Sequence, residues 1–258
     1  MLAMTLTDRL FDDSDKGPID PCSLFEEWFG EEYLQLYPHR DEAEAERAVA
    51  LVAGVTGLRP GWRVLDVGCG AGRHARAFRA TGARCFGVDL SRTLLTIARG
   101  ITDAPLVRAD MRRLPIRPGS MDLTVSLFTS FGYFEHDEEH AGALREMVGT
   151  LRPGGWFVID FLNAAEVRAR LVPRERVAVK GAEVDVARSV SPDGRYVCKT
   201  ILTPGGRRFM ERVRLFESGE IAAMLARAGV EVRHCFGDYD AAPLEPGSPR
   251  TILAGPVA

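Results

Sequence analysis

A glycine-rich segment at residues 64–72 has the residue types of a ligand-binding turn. It reads VLDVGCGAG, an apolar run followed by glycines at alternate positions, Gly68, Gly70 and Gly72. Glycine lets the backbone adopt positive φ and approach a ligand closely, and the start of a following helix offers free N–H groups. The pattern predicts a buried strand, a turn around a nucleotide-like ligand and a helix, although a tight packing turn would look similar.

Asp89 narrows the ligand class. It comes 21 residues after Gly68 and ends the next apolar run, with Leu90 directly behind it. A carboxylate at this position can accept hydrogen bonds from both hydroxyls of an adenosine ribose. NAD and S-adenosylmethionine share that ribose, so Asp89 predicts an adenosine ligand without choosing between them.

The residues after the third and fourth predicted strands distinguish between NAD and S-adenosylmethionine. Asp110 and Met111 follow the third strand, where a carboxylate can accept from the adenine amino group and a thioether can pack on the ring. The fourth strand leads into LFTSFGYF at residues 127–134, which places Phe128 and Tyr133 where a sulfonium and its acceptor would lie. Because loops after parallel strands face the ligand site, this arrangement favours S-adenosylmethionine.

Alternating strands and helices must position these residues. Apolar runs bounded by turn residues predict five strands, at residues 63–67, 84–89, 105–109, 122–128 and 156–161. Helical periodicity predicts helices between them, at residues 71–81, 92–100 and 138–151. Ser91 is expected to cap the second of these helices, and a turn at residues 152–155 is expected to follow the third. The alternation is typical of a parallel sheet covered on both faces.

Beyond residue 163 the pattern changes to antiparallel strands separated by Gly-containing turns. Four are predicted, at residues 177–179, 183–190, 196–203 and 207–216. A helix at residues 219–228 and a closing strand pair at residues 230–237 and 251–254 complete the chain. Residues 1–20 are polar and rich in Asp, and residues 22–56, which are dense in aromatics at first, follow a helical pattern.

The motif order across residues 60–162 resembles the class I S-adenosylmethionine-dependent methyltransferases. It runs VLDVGCGAG, VDLS, RADM, MDLTVSLF, LRPGG and FVIDF. The resemblance implies an α/β fold with a Rossmann-like sheet of seven strands, the last antiparallel. It also implies S-adenosylmethionine as cofactor and S-adenosyl-L-homocysteine as product.

Within that family the chain is similar to small-molecule enzymes, such as sugar N-methyltransferases and natural-product methyltransferases. The similarity rests on FTSFGYF, on the aromatic segment WFGEEYLQLYPHR and on the antiparallel insertion. It implies four parts of the chain. These are an acidic segment and helical lid at 1–56, a cofactor-binding core at 57–163, a substrate-side β insertion at 164–216, and a C-terminal helix with closing core strands at 217–258.

Carried onto this sequence, the family pattern assigns cofactor binding to residues that follow the core strands. These are Gly68, Cys69, Gly70, Gly72, Asp89, Leu90, Asp110, Met111, Leu127 and Phe128. Tyr37 and Arg40 of the lid would close over the cofactor, with Arg40 pairing with its carboxylate. Tyr133 and His136 are the candidates for catalysis, since a base is needed only where the acceptor carries a proton.

The segment HDEEH at residues 136–140 matches the H-x-x-E-H metal motif. It begins a predicted helix, where acids in the first turn are expected, and no independent third ligand is apparent. The five cysteines are widely spaced and form no CxxC. We therefore predict neither a metal site nor a disulfide framework.

Charge is unevenly distributed along the chain. Residues 1–46 carry 13 acids and 3 bases, whereas the remainder has a net charge of +7. A modestly positive body could favour an anionic substrate but lacks the clustered basic pattern of a nucleic-acid binder. No apolar run reaches the roughly 18–20 residues of a membrane span, and the N-terminus does not resemble a signal peptide. We expect a cytoplasmic protein with a small-molecule substrate and no nucleic-acid or membrane partner, as monomer or homodimer.

The predicted reaction is methyl transfer to O or N of a small molecule, such as a natural-product or sugar intermediate. Three alternatives stay open. They are a natural-product enzyme that uses the same fold for a non-methyl reaction such as cyclisation, an NAD(P) oxidoreductase, and a noncatalytic cofactor-binding subunit. The [DN]-P-P-[YF] motif of adenine and glutamine N-methylation is absent from the sequence.

Overall fold

The computed structural model describes residues 42–179, 182–203 and 205–258. Within these ranges the helices and strands follow in the order α1 (Glu42–Thr56), β1 (Arg63–Val67), α2 (Arg73–Ala80), β2 (Arg84–Asp89), α3 (Arg92–Ala98), β3 (Leu106–Arg108), β4 (Met121–Ser126), α4 (Asp137–Gly149), β5 (Leu151–Leu162), α5 (Ala164–Arg170), β6 (Arg174–Val179), β7 (Ala182–Val190), β8 (Tyr196–Leu202), β9 (Arg208–Arg214), α6 (Ser218–Arg227), β10 (His234–Phe236) and β11 (Arg250–Pro256). None of the helices in these ranges is long and apolar enough to cross a membrane.

A seven-stranded sheet, in the order β10-β11-β5-β4-β1-β2-β3, forms the core. Strands β1 to β5 pair in parallel, and β11 runs antiparallel to both β5 and β10. The predicted sheet of seven strands with its last strand antiparallel is confirmed. Strand order reverses between β4 and β1, and in open α/β sheets a ligand crevice forms at the carboxyl ends beside such a reversal.

Helices cover both faces of this sheet. Successive side chains of a strand point to opposite faces, so each strand contributes to the packing on both sides. Leu65 and Val67 of β1 belong to a cluster shared with α4 and α6. Val64 of the same strand points the other way, into a cluster shared with α1 and α2. Burial on both faces explains why the core strands are nearly continuous apolar runs in the sequence.

Helix α1 is the described part of the predicted lid. Its buried face, which includes Val49 and Val52, packs into the second cluster, and Glu44 forms an ion pair with Arg73 at 3.1 Å. This helix therefore supports α2 from outside. The remainder of the predicted lid lies outside the described residues, so closure over the site stays a prediction.

The predicted antiparallel insertion is confirmed as a separate four-stranded sheet, in the order β6-β7-β8-β9. It is joined to the core through the loop after β4. The Arg214 N–H donates to the Gly132 carbonyl at 2.8 Å, and the Tyr196 hydroxyl donates to the Glu135 carbonyl at 3.1 Å. These bonds hold the second sheet against the carboxyl end of the core sheet.

Two local expectations had different outcomes. Ser91 caps α3 as predicted, because its Oγ accepts the Leu94 N–H at 3.1 Å. The turn predicted at residues 152–155 is wrong, since these residues lie within β5. Pairing with β4 jumps from Met121–Leu151 to Leu123–Trp156, so the Pro-Gly-Gly sequence forms a bulge inside the strand instead of a turn before it.

Candidate functional site

The glycine turn after β1 is locked against the loop after β4. Gly68 has φ 76°, and its N–H donates to the Val88 carbonyl at 2.7 Å. A Cβ on Gly68 would lie 2.4 Å from the Ser130 Cβ, a distance that real Cβ atoms do not reach. The Ser130 hydroxyl donates to the Gly68 carbonyl at 3.0 Å. Glycine is therefore required here by close approach as well as by backbone conformation.

Asp89, at the end of β2, organises the same turn. One carboxylate oxygen accepts the Gly70 N–H and the other accepts the Ser91 N–H, each at 2.8 Å. Burial raises the pKa of Asp89, and these backbone donors oppose the shift. Each carboxylate oxygen has a second lone pair, so Asp89 can still accept hydrogen bonds from a ligand.

These residues border a cavity of about 570 Å³ at the carboxyl ends of the strands, here named the cofactor cavity. Most predicted cofactor residues line it: Gly68, Gly70, Asp89, Leu90, Asp110, Met111 and Phe128. Its volume is in the usual range for small-molecule and cofactor sites. The structure thus brings together residues from four separate strand ends.

Three other predicted cofactor residues lie behind the cavity. Cys69 is buried, and its Sγ would lie 2.8 Å from a Cβ built on Gly87; burial raises its thiol pKa. Gly72 is the N-cap of α2 with φ 82°, and a Cβ built on it would lie 3.0 Å from the Ala98 Cβ of α3. Leu127 is buried in the cluster beneath α1 and α2. These residues shape the turn from behind. Tyr37 and Arg40 lie outside the described residues.

Asp110 and Arg112 form a clamp at one end of the cofactor cavity. The Arg112 guanidinium donates to both Asp110 oxygens, from Nε at 3.0 and 3.1 Å and from Nη2 at 2.6 Å. Its Nη1 donates to Glu139 at 2.5 Å. Burial acts to raise the pKa of Asp110, but the hydrogen bonds from Arg112 outweigh it and hold that pKa below its ordinary value. Asp110 is therefore a fixed, ionised acceptor.

A second cavity, of about 550 Å³, lies between the core sheet and the four-stranded sheet; we name it the acceptor cavity. Phe128, Thr129 and Tyr133 line both cavities and so form their common wall. Cross-strand pairing places Arg188 opposite Lys199, and Lys199 opposite Glu211, on the sheet face that borders this cavity. The acceptor cavity is accordingly rich in charge, unlike a purely apolar pocket.

The two catalytic candidates differ in position. Tyr133 borders both cavities, whereas His136 borders the cofactor cavity at the start of α4. His140, the other histidine of the HDEEH segment, is fully buried. Its Nδ1 bonds to the His136 carbonyl at 3.0 Å, and its Nε2 accepts the Phe134 N–H at 3.3 Å. Among the described residues, no group of three or more His, Cys, Asp or Glu side chains is placed to hold a metal ion.

Sequence reasoning missed Asp66 and Arg112. Asp66 is 1% exposed within β1, and its Oδ2 has no hydrogen-bond partner in the described part of the chain. Burial, followed by the nearby charge of Asp89, raises the pKa of Asp66 to about 7. A single acid inside an apolar strand was the available signal for Asp66. Arg112 lies two residues after Asp110, which it binds, but its second partner, Glu139 of α4, is visible only in the folded chain.

Comparison with known proteins agrees with this geometry. A family model described as a methyltransferase domain matches residues 65–159. A dTDP-3-amino-3,4,6-trideoxy-α-D-glucopyranose N,N-dimethyltransferase from Streptomyces venezuelae is 31% identical over 67% of this chain and 77% of that protein. A ubiquinone biosynthesis O-methyltransferase from Bordetella bronchiseptica is 30% identical over 52% of this chain and 71% of that protein.

The fold also matches that of a solved methyltransferase structure. The CcbJ methyltransferase from Streptomyces caelestis superimposes with a TM-score of 0.74 at 22% identity, covering 90% of this chain and 98% of that one. The cradle of Gly68 and Gly70, the half-buried Asp89 carboxylate and the cavity volume fit an adenosine cofactor. The chain belongs to the class I S-adenosylmethionine-dependent methyltransferases.

Proposed function

We propose that this enzyme methylates a nitrogen or oxygen atom of a small molecule that carries an anionic group. The observation that carries the proposal is the acceptor cavity. It meets the cofactor cavity at Phe128, Thr129 and Tyr133, and its lining carries four cations against three acids. Cytoplasmic location and a monomeric or homodimeric state stay predictions.

On the cofactor side, the proposed roles follow the geometry of the turns. Gly68 and Gly70 leave room for the methionine part, and Asp89 accepts from the ribose hydroxyls. Asp110, held by Arg112, accepts from the adenine amino group, and Met111 packs on the ring. S-adenosylmethionine supplies an electrophilic methyl group with a good neutral leaving group. The chain's contribution is then mainly alignment and exclusion of water.

On the acceptor side, the charge pattern supports an anionic ligand. Arg188 and Lys199 are directly opposed cations, an arrangement that destabilises a sheet unless it is compensated. Glu175 pairs with Arg188 at 2.5 Å, and Glu211 lies opposite Lys199. The whole lining carries four cations, at Arg170, Arg188, Lys199 and Arg250, and three acids, at Glu166, Glu175 and Glu211. A carboxylate or phosphate on the ligand would bind to the cations of this array, because guanidinium and ammonium groups bind such anions well.

Tyr133 is the residue best placed to act on the acceptor. It lies in the common wall, so its side chain borders both the methyl donor and the acceptor. We assign it a role in orienting the acceptor atom and, where that atom carries a proton, in accepting a hydrogen bond from it. His136, at the rim on α4, is the second candidate for moving a proton away.

Acceptor pairs that differ only in an anionic group test the proposal. One such pair is an amino sugar and its 1-phosphate, and a hydroxybenzoate and its methyl ester form another. Each is incubated with the enzyme and S-adenosylmethionine, and S-adenosylhomocysteine is measured. We expect product from the charged member of a pair. Equal turnover of both members would overturn the anionic assignment, and cofactor binding without S-adenosylhomocysteine from any acceptor would point to a non-methyl reaction.

A further inference from the structure

The common wall of the two cavities has an unusual backbone. Phe128 and Thr129, which follow β4, have φ values of 57° and 59°. Neither is glycine, and two consecutive left-handed residues with side chains are costly unless their surroundings hold them. Neighbouring residues must therefore stabilise this left-handed conformation. Those that do so without lining either cavity influence the site indirectly.

Asp160, at the end of β5, supplies most of that support. Its carboxylate accepts the Phe128 N–H at 2.8 Å, and its backbone carbonyl accepts the Thr129 N–H at 3.0 Å. The same carboxylate accepts the Tyr239 hydroxyl at 2.6 Å and the Arg250 Nε. The Asp160 side chain is 0% exposed. One buried residue thus holds both strained peptide units.

Two guanidinium groups hold the Phe128 side chain. Arg73 lies 4.5 Å from the centroid of the Phe128 ring, and Arg250 lies 4.8 Å from it. Arg250 also donates to the Thr129 hydroxyl at 3.1 Å. Asp160 thus contacts the Phe128 backbone directly and the Phe128 ring indirectly, through Arg250.

We propose that Asp160 is a positioning residue. Supported by Tyr239, it holds the Phe128–Thr129 turn in its left-handed conformation and so sets the wall between methyl donor and acceptor. This inference rests on the proposed cofactor and acceptor cavities. Neither Asp160 nor Tyr239 lines either cavity, so both act through residues that do.

Binding of S-adenosylhomocysteine by calorimetry tests the inference, with thermal unfolding measured in parallel. Tyr239→Phe removes one bond to Asp160 and keeps the ring, whereas Asp160→Asn removes the charge that faces Arg250. The matched control is Asp122→Asn. Asp122 also accepts one backbone N–H, from Arg63 at 2.7 Å, and one arginine Nε, from Arg152 at 2.6 Å, but at the opposite end of the sheet.

We expect Asp160→Asn to weaken S-adenosylhomocysteine binding by about tenfold and Tyr239→Phe by about threefold. Asp122→Asn should lower the melting temperature and leave the affinity unchanged. Wild-type affinity in Asp160→Asn, or equal weakening in Asp122→Asn, would overturn the inference. Should Asp160→Asn fail to fold, Tyr239→Phe decides, and unchanged affinity in that variant overturns it. Asp89→Ala distinguishes a failure of this inference from a failure of the cofactor assignment. If Asp89→Ala also leaves the affinity unchanged, the cofactor assignment itself is wrong.

Discussion

The two cavities are built in different ways although they share a wall. The cofactor cavity is held by backbone groups close to the ends of neighbouring strands, as where Asp89 accepts the N–H groups of Gly70 and Ser91. The acceptor cavity is bordered by long charged side chains brought opposite each other by strand pairing, such as Arg188 and Lys199. The cofactor cavity is a rigid cradle of backbone contacts with the buried Asp66 carboxyl group close by. The acceptor cavity is bordered by a half-exposed array of ion pairs.

The difference indicates where each kind of substitution should have its effect. Buried charges and close backbone contacts respond strongly to the loss of one atom, because nothing replaces the missing partner. Half-exposed ion pairs respond weakly, since water and neighbouring charges compensate. We therefore expect large effects on the cofactor side and smaller, substrate-dependent effects on the acceptor side.

Asp66 has the largest expected effect, on stability as a function of pH. Its pKa of about 7 exceeds that of an unfolded aspartate, so the folded chain binds this proton more tightly. The Asp66 contribution to the free energy of unfolding should then fall between about pH 4 and about pH 7, by on the order of 4 kcal/mol. We expect Asp66→Asn to remove that fall, measured by urea unfolding across this pH range.

Asp122→Asn is the control, because the Asp122 contribution to the free energy of unfolding should depend on pH in the opposite direction. Burial acts to raise the pKa of Asp122, but the bonds from Arg152 and Arg63 hold it below its ordinary value. This group therefore contributes stability at neutral pH that is lost on acidification. If Asp66→Asn kept the wild-type fall in stability, the buried-charge description of the cofactor side would be wrong.

Asp89→Ala should have the next largest effect, on cofactor affinity. It removes the proposed ribose acceptor together with the acceptor of the Gly70 N–H. We expect S-adenosylhomocysteine binding to weaken on the order of 100-fold while the chain remains folded. Asp103→Ala, which removes an exposed carboxylate paired with Arg79, is the control and should bind normally. Calorimetry that gave equal affinity for both variants would contradict the ribose assignment.

Gly68→Ala tests the close approach between the turn and the loop after β4. The new Cβ would overlap the Ser130 Cβ, whereas a Cβ on Gly119, at a similar φ of 65°, meets nothing within 4 Å. We expect Gly68→Ala to destabilise the chain by about 2 kcal/mol more than Gly119→Ala. Adding Ser130→Gly should recover part of the loss. Equal destabilisation by the two alanine variants would show that conformation alone requires the glycine.

The smallest effect is expected for Arg188→Ala on the acceptor side. KM for an anionic acceptor should rise by about tenfold, with cofactor affinity unchanged. The control is Arg176→Ala, since Arg176 forms a similar cross-strand pair with Asp185 but does not line the cavity. The measurement is the steady-state rate with a charged acceptor and with its uncharged counterpart. A KM change that was the same for both acceptors would remove the electrostatic explanation.

Much of the cofactor side was predictable from the sequence, because its signals are local. Three glycines in VLDVGCGAG, an acid 21 residues after the first of them and another acid after the third strand are recognisable without knowing the fold. The parallel sheet then brings these strand ends together, as the alternation of strands and helices implies. The antiparallel insertion was predictable from its strand and turn pattern, whereas the seven-stranded sheet with its last strand antiparallel followed from the family resemblance.

Strand register and long-range contacts decided the remainder. Only pairing across β7, β8 and β9 places Arg188, Lys199 and Glu211 in one row facing a cavity. Only the return of the chain to β11 brings Arg250 to Asp160, 90 residues earlier, behind Phe128. The sequence by itself predicted the cofactor, because each of the four strand ends that together indicate it carries a local signal. The tertiary structure decided how donor and acceptor are separated, because that wall is held by residues that are distant in the chain.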